Sequence, residues 1–122
     1  MTRLWIALGA TAAALLIGGC AYDAGFYNTS QDRLENVHLA EYPQPTADVL
    51  LPGTQKKTRR IKGKIPREAT VVWRTPDGVQ HHQHLGVASN VPAFFRGTVW
   101  YTFLPDGRVT VEPEDEREAF GP

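Results

Sequence analysis

Apolar residues fall into two regimes along this chain. From Leu4 to Ile17 they run nearly unbroken and uncharged; after residue 20 they come in runs of at most three or alternate with polar residues. The first run is the length of a signal-peptide core and short for a bilayer span, which takes roughly 20 residues. A cleaved helical signal peptide over residues 1–19 is therefore predicted, followed by a short tether over residues 20–25.

The alternating regime has the period of half-buried strands. Ala69 to Thr75 is β-rich, Pro76-Asp77-Gly78 is a turn, and Val79 to Leu85 runs back. The device recurs: Thr98 to Leu104, then Pro105-Asp106-Gly107, then Arg108 to Glu112, with Val109 and Val111 on one face. Pro presets the first turn position and Gly takes the positive φ, so both stretches are predicted hairpins. Upstream, Phe26 to Ser30 reads as an opening strand and Leu34 to Ala40 as its return around Gln31-Asp32-Arg33. Neither face of that return is cleanly apolar, and a short helix beginning after Ser30 is the alternative. Tyr42-Pro43-Gln44-Pro45 breaks regular structure, and Ala47 to Leu51 is a short strand ended by Pro52-Gly53. Gln55 to Ile65, read as a strand, sets Arg60, Lys62 and Lys64 on one face and Ile61 and Ile65 on the other. The expected fold is all-β, a small antiparallel sheet or sandwich built from hairpins. The β-rich domain is expected over residues 26–112, with an acidic flexible tail over 113–122.

Charge and cysteine content change the picture next. Arg3 precedes the apolar run, small Gly18 and Gly19 follow it, and Cys20 is the only cysteine. Ile17-Gly18-Gly19-Cys20 resembles a bacterial lipobox. That resemblance implies a covalent lipid on Cys20, removal of residues 1–19, and attachment to a membrane. Two or three acyl chains, at about 0.8 kcal/mol per buried methylene, hold effectively for good. Ala21, standing where proteobacterial retention signals have Asp, implies the outer membrane and its periplasmic side. No other cofactor is expected.

Thirteen Lys and Arg balance thirteen Asp and Glu, and loss of residues 1–19 removes only Arg3. That balance argues against a nucleic-acid partner, which calls for a broadly basic chain. With Cys20 acylated no disulfide is available, so the domain must stand on its core. Trp73, Phe94, Phe95, Trp100, Tyr101 and Phe103 cluster in the second half and could each bury a large apolar area there.

Candidate chemistry is sparse. In His81-His82-Gln83-His84, the strand period points His82 and His84 the same way, a pair able to grip Zn²⁺ or Cu²⁺ if His38 or a carboxylate joins them. Two ligands fall short of a site, and polar strand histidines are the simpler account. Ser30 and Ser89 sit in no nucleophile elbow, and Asp77 and Asp106 are explained by their turns. No enzymatic activity is expected. The basic run Lys56, Lys57, Arg59, Arg60, Lys62, Lys64 and Arg67 is either a solvated edge strand or a docking surface for an acidic partner or anionic headgroups. Glu112, Glu114, Asp115, Glu116 and Glu118 are the carboxylates that would neutralise it by folding back. Arg60, Lys62, Lys64, Phe94 and Phe95 are the candidate partner-binding residues.

Beyond the lipobox, Phe26-Tyr27-Asn28-Thr29-Ser30 and Ile65 to Arg74 followed by an Asp-Gly turn resemble certain small bacterial lipoproteins, with weaker similarity over Gly97 to Val111. Some are encoded beside type VI secretion effectors, notably phospholipases, and act as periplasmic immunity proteins. The resemblance implies a protein that binds and blocks a secreted effector and carries no catalytic residues. The alternative is a structural or assembly lipoprotein of an envelope complex.

Overall fold

The computed structural model describes residues 20–115. The expected signal peptide (1–19) and the last part of the expected tail (116–122) lie outside the described residues. Eight strands follow one another: β1 (Ala21–Asn28), β2 (Leu34–Leu39), β3 (Thr46–Leu50), β4 (Gln55–Lys62), β5 (Ala69–Arg74), β6 (Gln80–Leu85), β7 (Gly97–Phe103) and β8 (Val109–Asp115). They form two four-stranded sheets, ordered β4-β1-β7-β8 and β3-β2-β5-β6, in which only the β1–β7 pair is parallel. The fold is an all-β sandwich.

Alternation builds the core between the sheets. Val99, Tyr101 and Phe103 of β7 meet Ala69, Val71 and Trp73 of β5 in one buried cluster, with Phe26 at its centre. Phe26 stands 5.7 Å from Tyr101 and 6.2 Å from Phe103 between ring centres. Both Pro-Asp-Gly hairpins form as read, β5–β6 with Gly78 at φ 83° and β7–β8 with Gly107 at φ 89°.

Three expectations are corrected. The β1–β2 hairpin does not exist: β1 pairs with β4 and β7, while β2 crosses to the other sheet and pairs with β3 and β5. Asn28 makes that crossing possible. Its buried amide donates to Asp32 O (2.8 Å) and Leu50 O (3.0 Å), and its Oδ1 accepts from Ser30 N (3.0 Å) and Ser30 Oγ (2.6 Å). The chain leaving β1 is thus held in a sharp bend, with Thr29 N also donating to Phe103 O of β7 at 2.9 Å.

β2 buries Leu34, Val37 and Leu39, a spacing that strict alternation forbids. Asn36 adopts φ 50°, and the register against β5 slips by one residue between Glu35 and His38. β3 matches the step, burying Ala47 and Leu50 while Asp48 and Val49 face out. Asn is among the few side chains that tolerate this conformation.

Ala21 to Gly25, expected as a tether, is the first half of β1. Ala24 is core, and Gly25 is needed where it stands: a Cβ there would lie 2.4 Å from Lys56 O and 2.6 Å from the Trp100 ring. Small residues at these positions serve close packing, not flexibility. Likewise Pro113 to Asp115, assigned to the tail, complete β8.

Candidate functional site

The strand directions give the sandwich two chemically distinct ends. At one lie the β1–β2 crossing, the Leu51–Thr54 turn and both Pro-Asp-Gly turns. At the other lie Cys20, whose carbonyl accepts from Gly63 N at 3.1 Å, and the connections over residues 40–45, 63–68 and 86–96.

A cleft of about 450 Å³ opens at the turn end, between the two Pro-Asp-Gly turns. Leu34, Trp73, Phe103 and Leu104 supply its apolar lining; Asp32, Asp77 and His81 supply polar groups. Trp73 meets Phe103 edge-on at 5.1 Å, and the His81 ring stacks on Trp73 at 5.5 Å and 16°. Thr75 Oγ1 donates to Asp77 Oδ1 at 2.5 Å and lies 3.0 Å from His81 Nε2. A hydroxyl has one hydrogen, so with Asp77 taking it, His81 Nε2 is the donor to Thr75. The imidazole is therefore not placed as a base toward Thr75, and the trio is a turn lock with no activated nucleophile. The Thr75 hydrogen bond, followed by the Val79 N–H, holds the Asp77 carboxyl below its ordinary value. The cleft suits an apolar group bearing a hydrogen-bond donor. Sequence reasoning did not find it, although the repeated Pro-Asp-Gly was its visible signal; that both turns share an end follows only from the topology.

The basic run lies on β4, an edge of its sheet. Lys56, Lys57, Arg59, Arg60 and Lys62 are all exposed. Ile61 is buried between exposed Arg60 and Lys62, as expected, but the strand ends earlier than expected. Arg60, at φ 55°, forms a bulge whose N–H donates to Asp23 Oδ1 at 2.9 Å. Gly63, at φ 108°, then ends the strand, so Lys64 sits in the following connection rather than on a shared strand face. Among the described residues the ion pairs are Arg33–Glu35, Arg74–Glu35, His84–Glu68 and Arg108–Asp106, and none involves the basic run. Glu112, Glu114 and Asp115 do not fold back on it, because β8 is the opposite edge of the same sheet. Three strand spacings, roughly 14 Å, separate the edges. Glu114 instead accepts from Trp100 Nε1 at 3.2 Å.

Register sets Lys57, Gly25, Trp100 and Glu112 in one row across this sheet. Trp100 alternates with Val99 and Tyr101 and so belongs to the outer face, where it is nevertheless 8 % exposed because its indole lies over Gly25. Residues on both faces of β7 are therefore buried.

The other candidates separate. Phe95 is half-buried against the core, whereas Phe94 is 97 % exposed. His82 and His84 do share the outer face of the second sheet: His82 pairs Val72, itself opposite His38, and His84 pairs Thr70. Thr70 Oγ1 lies 2.9 Å from Glu41 Oε2 and 3.0 Å from His84 Nδ1. Burial pushes the Glu41 carboxyl up, but the Thr70 hydrogen bonds outweigh it and leave the group below its ordinary value. Among the described residues no group of three or more His, Cys, Asp or Glu is close enough to hold a metal ion.

No protein-family description matches this chain, and no curated protein does. Among solved structures it is similar to a protein from Eubacterium rectale determined by NMR, with a TM-score of 0.53 and 14% identity over 80% of this chain and 92% of that one. At that identity the likeness is one of fold.

Proposed function

We propose that this is a lipid-anchored protein of the outer membrane, facing the periplasm, that acts by binding an acidic protein partner, as an inhibitor or immunity protein against a secreted effector that attacks the envelope. The observation that carries the binding reading is the β4 edge, whose cations find no counter-ion among the described residues while the carboxylates of β8 occupy the far edge. Unneutralised charge on one side of a near-neutral domain is suited to steering a complementary surface, raising the association rate more than the final affinity.

Anchoring through Cys20 gives that edge a defined presentation. With acyl chains at the N-terminal end, the strands stand away from the bilayer and β4 faces sideways along its length. The cleft then lies about 25 Å above the surface, the rise of an eight-residue strand. Both surfaces are open to a partner arriving from the periplasm, and inhibition would be occlusion of the effector's site.

The test is capture from envelope extracts on the acylated protein, read by mass spectrometry, followed by assay of whatever enzyme is recovered. One acidic hydrolase or secreted effector, inactivated on mixing, supports the inhibitor reading. Recovery of envelope-complex subunits with no enzyme inhibited replaces it with the assembly role.

A further inference from the structure

We infer that the Cys20 end of the sandwich is a second contact surface, one that lies directly on the phospholipid bilayer, with Phe94 in the headgroup–acyl boundary and Lys62, Lys64, Arg67 and Arg96 around it at the phosphates. This rests on the reading of Cys20 as the lipid anchor and goes beyond it, because the anchor itself assigns no side chain of the folded domain to the phospholipids.

Three observations converge. First, no spacer separates the anchor from the domain. β1 begins at Ala21, and Cys20 O is held by Gly63 N at 3.1 Å. Acyl chains on Cys20 therefore bring the whole end of the sandwich against the membrane.

Second, that end presents an aromatic side chain to solvent. The parallel register of Asp23 with Thr98 sets Arg96 level with Ala21 on the adjoining strand. Within the connection leading to it, Phe95 N donates to Pro92 O at 3.1 Å and the Phe95 ring packs on the core. Phe94 is thereby left outside, 97 % exposed, at the level of the anchor. Tyr42, 38 % exposed, projects from the neighbouring connection. Aromatic side chains beside an anchor have the character of interfacial residues.

Third, this end carries exposed cations. Of its carboxylates, Asp23 accepts from the Arg60 N–H, Glu41 from Thr70 and Glu114 from Trp100, while Glu68 and Asp115 are exposed. Lys62, Lys64, Arg67 and Arg96 are exposed and form no ion pair among the described residues. Four exposed cations without an ion pair among the described residues, next to an exposed aromatic, match an anionic phospholipid surface. Lys62, Lys64 and Phe94, expected to meet a protein, are thus assigned to the bilayer.

The experiment uses the mature acylated protein in phosphatidylethanolamine–phosphatidylglycerol vesicles. With Cys20 blocked by lipid, Phe94→Cys supplies the one thiol for an environment-sensitive fluorophore, and Val79→Cys at the turn end supplies the reference. Both positions are exposed, so neither change disturbs the core. The expected result is blue-shifted emission at position 94 and several-fold stronger quenching by doxyl lipids than at position 79. Reversing Lys62, Lys64 and Arg96 to Glu should weaken that quenching. Equal, water-like emission at both positions with Cys20 acylated by mass overturns the bilayer contact and leaves the anchor standing. An unmodified Cys20 in the same preparation overturns the anchor, and the contact with it.

Discussion

The Gln83 side chain closes one edge of the sandwich onto the main chain of Val109. Its Nε2 donates to Val109 O at 2.7 Å, and Val109 N donates to its Oε1 at 2.8 Å. A β6 side chain thus stands in for a ninth strand beside β8. Since Val109 turns its main-chain groups outward, so does Pro113 four residues on, and Pro113 has no N–H to offer. The exposed β8 edge is blunted at both positions, which guards against pairing with another chain.

Gln83→Ala should therefore cost about 1–2 kcal/mol in urea unfolding, since two partly buried main-chain groups lose their partners. Gln83→Glu should cost more at neutral pH, because a carboxylate replaces the amide donor facing Val109 O. A fully silent Gln83→Ala would show that water replaces the clasp.

Asn28 is fully buried and makes four side-chain hydrogen bonds at the crossing between sheets. Asn28→Ala is expected to lose about 2–4 kcal/mol. Asn28→Asp keeps the shape but sets a carboxylate against two carbonyls, which raises its folded-state pKa above the unfolded value. Its deficit should be small in acid and grow as pH rises through that folded value; a pH-independent deficit would argue that shape, not charge, is the defect.

The turn carboxylates carry the opposite sign. Asp77 is lowered first by the Thr75 hydrogen bond, and Asp106 first by the Arg108 N–H, both from an ordinary 3.8. Their contribution to stability is complete above that unfolded value and is lost as pH falls through the lower folded values. Asp77→Asn/Asp106→Asn should lower the melting temperature near neutrality, where that contribution is complete, and converge on the wild type in acid, so that the acid limb is flattened. An unchanged acid limb would place the proton uptake elsewhere.

The two Pro-Asp-Gly hairpins were legible in sequence because their turns are local chemistry, with Gly78 and Gly107 taking the required positive φ. The placement of β1 was not. Its partners lie far along the chain, and the parallel β1–β7 pair joins Asp23 to Thr98, a relation no local pattern encodes. Ala21 to Gly25 looked like a tether because its smallness answers to Trp100, a residue far away in sequence. At the candidate site, the basic residues were visible as a run. Their lack of neutralising partners was not, since it depends on β4 and β8 being opposite edges of one sheet. Phe94 and Phe95 are adjacent and chemically identical, so only packing separates the core residue from the exposed one.

The most direct test of the binding account compares partner capture by the wild-type acylated protein with capture by Lys56→Glu/Lys57→Glu/Arg59→Glu. All three positions are exposed and lie above the membrane-facing end, so the fold and the anchor are retained. The account predicts an acidic partner that the wild type captures and inhibits, with an association rate that falls steeply as salt is raised and falls again in the reversed variant. Identical capture and rates for both proteins would contradict it, leaving the β4 cations as protection for an open strand edge.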